Sequence, residues 1–150
     1  MRCFRTFLVA GGKLISILTL TASLSPAGDI KIVANSSVSA DTISTSELRR
    51  VYLETKISRA DGTHVEPVLE NGGPAHHDFL QNYLGMSEDD LQTYYRTLLF
   101  TGKGSMPKKL GSDAEVVAYV ARTRGAIGYV SSTANAEGVK TLAIADSSGA

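Results

Sequence analysis

The stretch that most limits what this chain can become is Glu70-Asn71-Gly72-Gly73-Pro74-Ala75-His76-His77, because it joins two segments of different periodicity. Before it, Val65 to Leu69 is apolar and β-branched enough to read as a strand. After it, Phe79, Leu80, Tyr83 and Leu84 recur at helical spacing. Glycine lets backbone N–H groups approach a ligand with no Cβ in the way, and proline at the first helical position leaves the remaining N-terminal N–H groups unpaired and facing outward. Such a terminus favours an anion. The same punctuation also marks an ordinary strand-to-helix turn, so the stretch is a candidate ligand loop and not a diagnostic motif.

The N-terminal residues stand apart from the fold. Arg2, Arg5 and Lys13 precede an apolar run from Leu14 to Leu24, followed by Ser25-Pro26-Ala27. This is the layout of a secretory signal peptide over residues 1–27, with cleavage before Gly28. The run is about half the length a membrane-spanning helix needs, so no membrane span is expected after cleavage. Residues 28–145 then form one domain with a modest core, and residues 146–150 a small polar tail.

The chain carries 15 basic and 15 acidic residues, and three of the basic ones lie in the signal, which leaves 12 against 15. A mildly acidic domain gives no reason to expect nucleic acid, which calls for a basic patch or stripe. A small anion remains compatible, since local N–H groups and one or two cations hold it. Cys3 is the only cysteine and falls in the signal. The domain therefore has no disulfide, thiol chemistry or thiolate metal site.

Taken in order, Ile30 to Val33 reads as a first strand ending in the polar loop Ala34-Asn35-Ser36-Ser37-Val38. Ligands in α/β folds collect outside the carboxyl ends of strands, which makes Asn35, Ser36 and Ser37 second-rank site candidates. Ser44-Thr45-Ser46-Glu47 is a capping box opening a helix with Leu48, Val51 and Tyr52 as its apolar stripe. Asp61-Gly62 is a tight-turn pair before a strand from His64 to Leu69, and Gly85 ends the helix after the focal loop. Ser87-Glu88-Asp89-Asp90 caps a further helix with Leu91, Tyr94, Tyr95, Leu98 and Leu99 as its buried face. A glycine-rich loop with Lys103 follows, lacking the spacing of a P-loop. Ser112-Asp113-Ala114-Glu115 starts a last helix, Ala126 to Val130 is a buried strand, and Val139 to Ala145 is a final strand. This order predicts an α/β layered domain with helices packed on a mixed, mostly parallel sheet.

Enzyme chemistry is not visible in the sequence. There is no Gly-x-Ser-x-Gly elbow, and His76 and His77, adjacent on a helix, point about 100° apart and cannot chelate one ion. Glu88, Asp89 and Asp90 read as helix-start charges. No metal and no cofactor is expected.

Several segments together resemble a known family. These are Ile43 to Leu53 before the Asp61-Gly62-Thr63 turn, Phe100-Thr101-Gly102-Lys103-Gly104, Gly111 to Val120, and Gly125-Ala126-Ile127-Gly128-Tyr129-Val130. The chain resembles the phosphate-specific periplasmic substrate-binding proteins of ABC transporters, within the type 2 periplasmic binding fold. The resemblance implies a non-catalytic, periplasmic or secreted protein that holds phosphate or a similar small oxyanion, with an ABC permease or an envelope sensor protein as partner. It covers one lobe's worth of a fold that ordinarily closes two lobes on its ligand. The implied ligand set is Ser36, Ser37, Asn71, Gly72, Gly73, Ala75, His76 and Lys103, with the N–H groups of Gly73, Ala75 and His76 as donors. Two departures stand out: Gly73 and His76 occupy places where small relatives put serine and arginine, and Arg59 stands near the family's tryptophan. Histidine is a weaker anion partner than arginine's fixed fork, so the alternative is an envelope adaptor or sensory module that has lost ligand capture.

Overall fold

The computed structural model describes residues 30–53, 58 and 62–145. The signal segment, Arg59, Asp61 and the tail from 146 lie outside the described residues. In chain order the elements are β1 (Ile30–Ala34), β2 (Thr42–Ser44), α1 (Thr45–Leu53), β3 (Glu66–Glu70), α2 (Pro74–Phe79) with a π-helical continuation (Leu80–Leu84), α3 (Glu88–Phe100), β4 (Lys108–Leu110), α4 (Asp113–Arg122), β5 (Ala126–Ser131) and β6 (Lys140–Ala145). The strands form one sheet in the order β2-β6-β1-β5-β3-β4. β3 runs parallel to β4 and β5, and β2 to β6, while β1 is antiparallel to both β5 and β6. The expected α/β layering on a mixed, mostly parallel sheet is what forms.

The capping residues act where the sequence places them. Ser44 Oγ accepts from the Glu47 N–H at 3.1 Å, and Ser87 with Asp90 closes a full capping box at the start of α3. Ser112 Oγ likewise accepts from the Glu115 N–H at 3.3 Å. The π-helical turn ends at Gly85, whose N–H reaches back to the Leu80 carbonyl at 2.7 Å and whose φ of +67° suits glycine. The strands β2 and β4 were not expected. Each has three residues and lies at a sheet edge, too short for a two-residue period to register.

Strand alternation divides the core into two layers. Ile32, Leu69, Ile127 and Tyr129 face α1, α2 and α3, while Val33, Val68 and Val130 face α4 with Val116 and Val120. Gly128 lies in the second set. A Cβ on it would stand 2.8 Å from Val68 Cγ2 and 2.9 Å from Val116 Cγ1, so its bare backbone is what lets α4 settle onto β5. On the other face Phe79 stacks on Tyr129 at 3.9 Å between ring centroids and meets Tyr52 edge-on at 4.8 Å. Full burial of a ring such as Phe79 contributes about 1.5–3 kcal/mol and holds α2 against the sheet. Leu99, expected on the buried face of α3, is 52% exposed, because α3 turns only Leu91 and Tyr95 fully inward.

Candidate functional site

Parallel pairing brings the carboxyl ends of β3, β4 and β5 to one edge of the sheet, and the focal loop lies on that edge. The Asn71 N–H donates to the Leu110 carbonyl at 2.7 Å, which sets the loop beside the start of α4. Gly72 and Gly73 have φ of +83° and +89°, values that side chains other than glycine rarely adopt. The N–H of His77 is bonded to the Gly73 carbonyl at 3.1 Å, and the N–H groups of Ala75 and His76 precede it in the first turn. Asn71, Gly72 and Gly73 are exposed, while the Ala75 and His76 side chains are buried. Asp113, in the first turn of α4, accepts the Ser131 N–H at 3.1 Å.

Glu70 closes this edge from below. It is 9% exposed, and its Oε2 has no hydrogen-bond partner among the described residues. Its Oε1 lies 3.6 Å from where a Cβ on Gly73 would stand. Burial, with the charge of Asp113 added to it, raises its carboxyl from the ordinary range to about 6. This residue was not among the expected ligands. The available signal was a carboxylate directly after the apolar pair Val68-Leu69 at the strand's end.

The His76 side chain is turned into the protein. It is 4% exposed, and both ring nitrogens are engaged. Tyr129 Oη accepts the Glu70 N–H at 3.1 Å and is hydrogen-bonded to His76 Nδ1 at 2.5 Å. The ring's Nε2 is hydrogen-bonded to Glu88 Oε2, and the other oxygen of Glu88 accepts from Lys109 Nζ at 2.9 Å and Gln92 Nε2 at 3.0 Å. Desolvation pushes the Glu88 carboxyl up, yet hydrogen bonds from Gln92, His76 and Lys109 outweigh it and hold the group at about 2. Glu88 is thus more than a helix-start charge: it ties α3 to α2 and β4.

The remaining expected ligands lie elsewhere. β1 is antiparallel to β5, so Ser36 and Ser37 follow a strand whose carboxyl end meets the amino ends of β5 and β3. The length of five-residue β3, roughly 15 Å, separates them from the focal loop. There Asn35 Nδ2 donates to the carbonyls of Val120 and Ala121 at 2.8 and 3.0 Å, and Ser37 Oγ accepts the Gly125 N–H at 2.9 Å. These residues close the carboxyl end of α4, where the helix dipole disfavours an anion. Lys103 precedes β4 and also stands at that opposite edge. The structure therefore brings Asn71, Gly72, Gly73, Ala75 and His76 together and leaves Ser36, Ser37 and Lys103 apart.

No protein-family model and no curated protein matches this sequence. Solved structures do. An ABC-type phosphate transport receptor from Vibrio cholerae superimposes with a TM-score of 0.60 at 13% identity, over 77% of this chain and 46% of that one. PstS from Borrelia burgdorferi gives 0.57 at 10% identity, over 77% and 47%. The likeness is one of fold. This chain spans less than half the length of those proteins and has the architecture of one lobe of a periplasmic binding protein. Among the described residues no helix is long and apolar enough to cross a membrane, and no three His, Cys, Asp or Glu side chains are grouped to hold a metal ion.

Proposed function

We propose that this chain is a non-catalytic, periplasmic or secreted binding protein that holds a protonated small oxyanion, hydrogen phosphate above all, at the Asn71–His76 loop. The observation that carries this reading is the buried, unpartnered Oε2 of Glu70 beside Gly73. Backbone N–H groups of Gly73, Ala75 and His76 would donate to the anion's oxygens, as on other helix starts. Above pH 6 an ionised Glu70 favours a donor, and among oxyanions those that keep an O–H supply one. Sulfate at neutral pH has no such proton and meets repulsion from Glu70 and Asp113. The solved proteins of the same fold include an ABC-type phosphate transport receptor, which supports the ligand class and an ABC permease as partner.

Calorimetry with phosphate and sulfate tests this. Phosphate binding at pH 7.5 with little sulfate binding is expected, and in Glu70→Gln the two ions should become comparable, since an amide both donates and accepts. Absence of heat from either ion at millimolar concentration would overturn the reading. It would then favour an envelope adaptor that has lost ligand capture, a reading to which the locked His76 and the 85% exposed Phe100 lend support.

A further inference from the structure

At the amino ends of β3 and β4, across the sheet from the focal loop, lies a half-open groove of about 640 Å³. Its apolar lining comes from Pro67, Leu98, Met106 and Pro107, with the rings of Tyr52 and Tyr95 behind them. Those two tyrosines spend their hydroxyls inside the protein: Tyr52 donates to the Val68 carbonyl at 3.0 Å and Tyr95 to the Tyr52 carbonyl at 2.7 Å. Tyr52 and Tyr95 therefore offer the groove ring surface and no free hydroxyl. Its rim is charged. Lys103 and Lys108 border it, and neither is ion-paired with a described residue. Lys108 Nζ rests 4.9 Å from the ring centroid of Tyr119, while Glu66, the one carboxylate at the rim among the described residues, already accepts the Tyr119 hydroxyl.

We infer that this groove is a second binding site, separate from the loop, for a small organic anion with an apolar body, such as an aryl or alkyl carboxylate. The hydrocarbon part covers Leu98, Met106 and the tyrosine rings, and the carboxylate reaches Lys103 and Lys108 at the rim. An inorganic oxyanion gains nothing from the apolar floor. A neutral hydrocarbon leaves the two ammonium groups without an anion. The size suits such a ligand, since small-molecule pockets run from about 300 to 1,000 Å³.

Amide and methyl NMR on the intact chain, titrated with phenylbutyrate, its neutral amide and inorganic phosphate, tests the site. Phenylbutyrate should give saturable shifts at the Leu98 and Met106 methyls, with affinity for the neutral amide about threefold weaker, the size of effect exposed charges supply. The double variant Lys103→Gln with Lys108→Gln, at two exposed positions, should bind acid and amide alike. Phosphate should leave the groove methyls in place whether or not it binds the loop. The inference is overturned if about 10 mM phenylbutyrate produces no saturable groove shift, if acid and amide bind the unaltered chain equally, or if phosphate shifts the same methyls.

Discussion

Tyr129 Oη lies 2.5 Å from His76 Nδ1, in a chain that begins at the Glu70 N–H and ends at the Lys109 ammonium. Each member is satisfied only while its neighbours stay in place, so the chain fastens β3, β5, α2, α3 and β4 at the edge that carries the loop.

Tyr129→Phe leaves the Glu70 N–H and His76 Nδ1 buried without partners and removes no ring volume. We expect a loss of about 2 kcal/mol in urea unfolding, with an unchanged denaturant slope. His76→Ala adds a cavity beside Tyr129 and should cost more, about 3 kcal/mol.

Glu70 should make the free protein more stable as the solution is acidified from neutrality. Its carboxyl is raised to about 6 in the fold, so the native state holds the proton more tightly than the unfolded chain does. Stability should rise as pH falls through 6 and level off near the ordinary carboxylate value, by less than about 1 kcal/mol once solvent screening at the sheet edge is allowed for. Urea unfolding at steps between pH 8 and 4.5 reads this, and Glu70→Gln should flatten that limb of the profile.

Glu88 works with the opposite sign. Held at about 2 by Gln92, His76 and Lys109, its ionised form stabilises the fold above the ordinary carboxylate range, and that contribution is lost as pH falls toward 2. Glu88→Gln should be less stable at neutral pH and show a shallower acid-unfolding limb, measured by circular dichroism at falling pH.

Two glycines of the Gly125-to-Val130 segment should tolerate no side chain. A Cβ on Gly125 would meet the His64 carbonyl oxygen at 2.5 Å from a φ of +75°, a backbone clash without a flexible partner. Gly125→Ala should cost about 3 kcal/mol or more, whereas Gly128→Ala, crowding only the side chains of Val68 and Val116, should cost about 1–3 kcal/mol. Thermal melts of the two variants side by side would rank them.

The fold was legible because its cues are local. Ser44, Ser87 and Ser112 mark helix starts through hydrogen bonds three residues long, and the run from Ala126 to Val130 alternates faces as a buried strand must. The candidate site was legible only in part. Asn71, Gly72, Gly73, Ala75 and His76 are contiguous in sequence and stay together in space, but Ser36 and Lys103 were grouped with them on residue chemistry alone. Strand direction separates them: antiparallel β1 delivers Ser36 to the far edge, and Lys103 precedes β4, whose parallel start is at that same edge.

What the sequence by itself determined is the alternation of strands and capped helices and the glycine-rich turn after β3, each set by interactions within a few residues of chain. Only the tertiary structure decided that the His76 side chain is a buried link between Tyr129 and Glu88. The same holds for Glu70, which is left with an unanswered carboxylate oxygen beside the loop. Tyr129 lies 53 residues from His76, and Lys109 lies 21 from Glu88. Such distant partners set a side chain's protonation and availability, and no local pattern encodes them.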